Sequence, residues 1–266
     1  KLEQQNLRVK VWEVGMKVAA LISGEPRFCE EFDHFLSNLS GYTKIDWFIL
    51  LWENNKDGHY NGLKLVAPYW EEIERESAFY KIQNNLPEFN NLVKLSIIDK
   101  EQFRLNFEVK NKAGETHAPS SWFMFKGLQE VNKIQETYPE TYDLVIRARP
   151  DISLDKSLDL TNIKHILDSN PRSIVVPNNH WNGYDKKIND MMAIANPEVM
   201  KIYCQTADTL VSLQEEGNIY HPETMLAEHL ARSGVNVIKG DFENGLRHLG
   251  ANNDQGIYQS KFGRWE

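Results

Sequence analysis

The stretch Tyr142-Asp143-Leu144-Val145-Ile146-Arg147-Ala148-Arg149-Pro150-Asp151-Ile152 decides how this chain folds. It opens as an apolar run of the kind that forms a buried strand and turns charged within a few residues. In an extended chain alternate side chains share a face. Val145, Arg147, Arg149 and Asp151 therefore point one way, and Leu144, Ile146 and Ala148 the other. Two guanidiniums and a carboxylate line up where the strand leaves its sheet, the edge at which open α/β sheets bind ligands. Arginine forks match phosphate oxygens, and a carboxylate suits a divalent cation or a sugar hydroxyl. A strand end carrying solvated charges and an internal ion pair fits the same residues equally well.

Strands and helices alternate on either side of this segment. Before it, the apolar run Val18–Ile22 ends in Ser23-Gly24-Glu25-Pro26-Arg27, where Ser-Gly breaks the strand and Pro26 suits the first turn of a helix. Phe28, Phe32, Phe35, Leu36 and Leu39 continue as a helical pattern that Gly41 stops. Asp46–Trp52 is a second strand and Leu92–Ile98 a third, with Lys94 and Ser96 facing away from the core. A polar loop at 53–62 and a helix near 69–83 lie between them. Residues 102–119 read as an excursion or lid, and Ser120–Tyr138 as an amphipathic helix with Phe123, Leu128, Val131 and Ile134 on one side.

After the central segment come strands at Ser173–Pro177, Met191–Ala195 and Val235–Ile238. One helix runs from Pro197 to about Leu213, and another from His221-Pro222-Glu223 to Ser233-Gly234. This alternation predicts an α/β fold with a mostly parallel central sheet flanked by helices. One domain over residues 16–266 is the economical division, with 1–15 as an extension ahead of Met16.

Composition narrows the function. The 266 residues carry a net charge of −8, which argues against a protein that coats nucleic acid but leaves room for a local basic pocket. No run approaches the roughly 18 apolar residues of a transmembrane helix. Cys29 and Cys204 lie far apart and form no zinc-type pair, so a reducing compartment is the default. The chain holds no G-x-G-x-x-G, no G-x-x-x-x-G-K-[ST], no G-x-S-x-G and no H-E-x-x-H. Dinucleotide oxidoreductases, P-loop enzymes, α/β-hydrolases and zincin proteases are disfavoured accordingly.

Several loops carry candidate chemistry. Ser23, Gly24 and Arg27 follow the first strand, with Arg27 at a helix N-terminus that favours anions. Asn189-Asp190 precedes the Met191–Ala195 strand. Asp190 fits a general base or a ligand of substrate hydroxyls, and it fits a strand-start cap as well. The loop 178–184 combines amides with Trp181 and Tyr184, as sugar sites do and as ordinary polar turns do. His221 and Glu223 read as helix capping, with a site role if that helix begins at the pocket. Arg247-His248 offers a late histidine of the kind that completes some metal sites.

Taken in order, these loops resemble a family of bacterial and viral polysaccharide glycosyltransferases with a GT-A-like fold. The likeness runs through Ser23-Gly24-Glu25-Pro26-Arg27, a second strand ending in Trp52, Ser121-Trp122-Phe123, the central segment, Ile188-Asn189-Asp190 and His221-Pro222-Glu223. It implies transfer of a sugar from a nucleotide-sugar donor to a hydroxyl of a glycan or lipid-linked glycan acceptor, in surface polysaccharide synthesis. It also implies a cytoplasmic setting, peripheral to the inner membrane face. Such enzymes hold Mn²⁺ or Mg²⁺ on the donor diphosphate with a D-x-D motif. Here Arg149-Pro150-Asp151 stands in its place, and only the last acid is kept. Glu25 stands where the family pattern leads one to expect Gln.

Residue by residue, the resemblance places Ser23, Gly24 and Arg27 on the nucleotide. Arg147, Arg149 and Asp151 face the diphosphate, the sugar and any cation, with His248 as a further metal ligand. Trp181 lies on the substrate, and His221 and Glu223 are second choices on the acceptor side. Asp190 is the base in an inverting mechanism and positions the sugar in a retaining one. Two alternatives are a catalytically inactive glycan- or nucleotide-binding protein of the same fold and a sugar nucleotidyltransferase. The short, Gly- and Lys-poor first loop counts against the second.

Overall fold

The computed structural model describes residues 15–24, 35, 38–52, 59–60, 63–64, 92–98, 118–150, 152–154, 156–178, 188–217, 221–242 and 244–246. Its strands are β1 (Lys17–Gly24), β2 (Leu39–Ser40), β3 (Lys44–Trp52), β4 (His59–Tyr60), β5 (Leu63–Lys64), β6 (Leu92–Ile98), β7 (Leu144–Ala148), β8 (Ile152–Leu154), β9 (Leu158–Asp159), β10 (Ser173–Pro177), β11 (Met192–Ala195), β12 (Asn236–Gly240) and β13 (Asn244–Leu246). Its helices are α1 (Ala118–Glu136), α2 (Leu160–Ser169), α3 (Pro197–Cys204), α4 (Thr206–Glu215) and α5 (Pro222–Arg232).

Among the described residues, seven strands form the central sheet in the order β12-β10-β11-β7-β1-β3-β6. β1 lies between β3 and β7 and runs parallel to both. β6 runs parallel to β3, and β12 to β10. β11 is reversed, antiparallel to β7 and to β10. The expected α/β class with a mostly parallel sheet is the one observed. From β1 the chain builds outward through β3 and β6 on one side and then resumes on the other side with β7. That reversal of direction is a topological switch point.

The sheet is covered on both faces. On one, Val18, Ala20 and Ile22 join Ile45, Trp47, Ile49, Leu144 and Ile146 under Leu160, Ile163 and Leu167 of α2. On the other, Ala19, Leu21, Phe48, Leu50 and Val145 pack under α1, α3, α4 and α5. Six consecutive residues of β1 are buried, as a strand sandwiched between helical layers requires. Each buried Leu, Ile or Phe contributes about 1.5–3 kcal/mol relative to exposure.

Local signals fix the helix ends. Asn196 caps α3 by accepting from the Val199 amide at 2.9 Å, with Pro197 in the first turn. α5 closes on Gly234 at φ +67°, where the Gly234 and Val235 amides donate to Ala231 O and Leu230 O. This is the paired hydrogen-bond pattern that a left-handed glycine permits.

Some expectations change. The single helix from Pro197 to about Leu213 is two, divided at Gln205. The hydroxyls of Thr206, Thr209 and Ser212 bond back to carbonyls three residues earlier, a competition that weakens helix continuity. Leu39, expected in a helix, pairs with Leu158 in a two-stranded ladder. Inside the expected polar loop at 53–62, His59–Tyr60 forms an antiparallel ladder with Leu63–Lys64. α2 was not anticipated, although Asp159 caps it through the Thr161 amide. The helix near 69–83, most of the Phe28–Leu39 pattern, the 102–117 excursion and the side chains of Lys94 and Ser96 lie outside the described residues.

Candidate functional site at the sheet's switch point

Because β11 is reversed, its start lies at the same edge as the ends of β1 and β7. The Arg149 amide donates to Met191 O at 3.1 Å, which ties the end of β7 to the residue after Asp190. The Ile188 amide reaches Glu223 O at 3.4 Å, so the first turn of α5 joins the same group. Ser23–Gly24, Arg149–Pro150, Asn189–Asp190 and His221–Glu223 thus meet at the carboxyl edge of the sheet. These four segments are distant in sequence and share no local folding reason to converge.

Gly24 has a specific reason to be glycine. Its φ is +153°, and a Cβ there would lie 2.9 Å from Pro150 Cδ. The last residue of β1 therefore lies against Pro150, just after β7, at the point where the strand order reverses.

Asn189 and Asp190 divide their labour. The Asn189 side-chain oxygen accepts from the Met191 amide at 2.9 Å and the Met192 amide at 3.2 Å, so it is Asn189 that caps the strand. Asp190 is buried, and its carbonyl accepts a 3.4 Å hydrogen bond from the Tyr203 hydroxyl of α3. No hydrogen bond or ion pair holds its carboxylate among the described residues.

Arg147 lies on the expected face, with Val145, but deeper than an edge cation. It is 0% exposed, and its Nε, Nη1 and Nη2 have no hydrogen-bond partner among the described residues. Its register partners are Leu21 on β1 and Ala193 on β11. Burial pushes the Tyr203 phenol and the Cys204 thiol well above their usual range, and the Arg147 charge opposes both shifts. Leaving a buried charge unpaired costs on the order of 3–5 kcal/mol. Ser23, on the same face of the neighbouring strand, is also buried, and its Oγ is likewise without a partner among the described residues.

His221 and Glu223 sit at the start of α5, with His221 Nδ1 3.6 Å from Glu223 Oε2. Glu223 is buried and His221 is more open. His221 is the N-cap of α5, with Pro222 opening the helix and Glu223 in its first turn as the sequence suggests, although the His221 side chain makes no capping bond. Tyr203 was not singled out from the sequence; nothing in its local pattern distinguishes a core tyrosine from one that braces a site. Arg27, Asp151, Trp181 and His248 lie outside the described residues. No group of three or more His, Cys, Asp or Glu that could hold a metal ion occurs among the described residues. No helix among them is long and apolar enough to cross a membrane.

No protein-family model matches the chain, and no curated protein matches it. Among solved structures, it is similar to the crystal structure of an active-site mutant of LgtC, a glycosyltransferase. That likeness covers 84% of this chain and 72% of the other, at 12% identity and a TM-score of 0.46.

Proposed function

We propose that this chain is a glycosyltransferase that moves a sugar from a nucleotide-sugar donor to a hydroxyl of a glycan acceptor. The observation that carries the reading is the convergence of Ser23–Gly24, Arg149 and Asp190 at the switch point of a mostly parallel sheet. Open α/β sheets bind nucleotides at such points. The absence of glycine-rich dinucleotide and P-loop motifs favours a nucleotide sugar over a dinucleotide or a nucleoside triphosphate.

In this reading Ser23, Gly24 and Arg27 meet the nucleotide, and Arg149 meets the diphosphate. Asp190 takes the proton from the acceptor hydroxyl as its oxygen bonds to the anomeric carbon. The bond from that carbon to the diphosphate breaks, and the nucleoside diphosphate leaves with the electron pair. His221, Glu223 and Trp181 serve the sugar and acceptor side. A divalent cation, where one is used, falls to Asp151 with His248. The described residues offer no metal-binding cluster of their own, and no step here is assigned to an ion. Synthesis of surface polysaccharide on a lipid-linked acceptor, peripheral to the inner membrane face, belongs to the same proposal.

The test is a thermal-shift panel of UDP-, GDP-, CMP- and dTDP-sugars, with and without Mn²⁺. At least one donor is expected to raise Tm through linkage. No shift with any member would remove the donor-site reading.

A further inference from the structure

Within the described residues, three residues hold buried side-chain atoms without a hydrogen bond: Ser23, Asp46 and Arg147. Asp46 lies near the start of β3 and is accounted for. Its other oxygen accepts from Tyr142 at 2.8 Å, and the Lys44 ammonium stands 3.0 Å away. The remaining two lie on adjacent parallel strands, on the same face, at the edge where the switch point opens. Leu21 is the register partner of Arg147, and Ser23 lies two residues further along β1 toward that edge. Among the described residues, a full guanidinium charge and a hydroxyl are thus unmatched at the edge where open α/β sheets bind ligands.

We propose that Arg147 is a positioning residue for an anion, the diphosphate of a nucleotide ligand, acting from beneath Ser23 rather than by surface contact. This rests on the donor reading above. The guanidinium reaches no solvent, so its influence is that of a fixed positive charge in a low-dielectric layer. There it raises the potential of the crevice above it and offsets the Asp190 carboxylate, which shares the Tyr203 neighbourhood and repels an arriving phosphate. A group kept only to hold the fold together would be expected to have acceptors. Buried charges without them persist where function requires them.

The experiment uses the full chain and Arg147→Met, Arg147→Gln and Arg147→Lys. It measures Tm and the binding of UDP, GDP, inorganic pyrophosphate, uridine and guanosine at low and at physiological salt. Arg147→Met fills similar volume without charge. It is expected to keep or raise Tm, to lose on the order of tenfold or more in diphosphate and pyrophosphate affinity, and to bind the neutral nucleosides within about twofold. Arg147→Lys is expected to stay within about threefold throughout, and Arg147→Gln supplies the neutral arm if the Met variant does not fold. A folded neutral variant with unchanged diphosphate affinity overturns the proposal. So does one that loses diphosphate and nucleoside binding equally, since that is collapse of the site. Pyrophosphate binding by the wild type that depends on Arg147, without nucleotide binding, sustains Arg147 as an anion-positioning residue but overturns the nucleotide as its ligand, and with it the donor reading. Nucleotide binding independent of Arg147 does the reverse. If neither nucleotide nor pyrophosphate binds the wild type, both fall.

Discussion

The two edges of the central sheet treat their polar groups in opposite ways. At the edge where β1, β3 and β7 begin, charges are matched. Lys17 reaches Glu140 at 2.6 Å, the Lys17 amide donates to the Asp143 carboxylate at 2.9 Å, and buried Asp46 holds Tyr142 and Lys44. At the edge where β1 and β7 end, Ser23 and Arg147 are buried without partners among the described residues, and Asp190 keeps its carboxylate free of them. The same sheet supplies both edges, so the difference does not come from the backbone. One edge is satisfied internally and serves stability. Among the described residues the other leaves buried polar atoms unmatched, which is what the proposed donor site calls for.

This contrast can be broken by mutation. The largest expected effect is at Asp190. Asp190→Asn should lower transfer by about 10²–10⁴-fold while the donor-induced Tm shift is kept; undiminished turnover would take Asp190 out of the base role. Next is Gly24→Ala, which puts a Cβ against Pro150 at a backbone angle disfavoured for other residues. It should cost about 1–3 kcal/mol of stability and weaken donor binding, read by denaturant titration and calorimetry. At the opposite edge, Tyr142→Phe leaves a buried Asp46 oxygen without its donor. It should cost a similar 1–3 kcal/mol in denaturant titration yet leave donor affinity unchanged. Equal damage to binding from both edges would erase the distinction.

The smallest expected effect is a pH dependence. His229 is buried between Ile202 O at 2.8 Å and Thr209 Oγ1 at 2.9 Å. Burial holds its pKa below the ordinary 6.5, with Asp208 and the bond to Ile202 partly opposing. With the folded pKa depressed, the unfolded chain takes up the proton first. Stability is therefore full above about 6.5 and is lost as pH falls through the folded value. Thermal melts from pH 8 down to about pH 5 should show that decline, and His229→Gln should flatten it. An unchanged slope in the variant would exclude His229 as its source.

Much of the sheet was legible because strands buried on both faces must be apolar without interruption. Val18–Ile22, Asp46–Trp52 and Ser173–Pro177 announced themselves that way, and alternation put Arg147 on the face of Val145. Depth was not legible. Alternation says which way Arg147 points but not that α3 covers it, because Tyr203 and Cys204 lie more than fifty residues further along the chain. Strand direction was not legible either. An apolar run such as Met192–Ala195 reads the same in both directions, yet its reversal is what carries Asp190 to the end of β7. α2 has its own local signal, an Asp159 cap followed by Leu160, Ile163 and Leu167 at helical spacing. The pairing of Asn189 as the cap with Asp190 as the free carboxylate needed coordinates, since either residue type can fill either role.

The central claim is that the incomplete edge of the sheet receives a phosphate-bearing sugar donor. Its most direct test is the Tm of the wild type and of Tyr142→Phe titrated with each nucleotide sugar in turn. A saturable rise with at least one donor, of equal size in both proteins despite the lower starting Tm of the variant, is the predicted result. No rise with any donor, or a rise that disappears when only the opposite edge is altered, would contradict it.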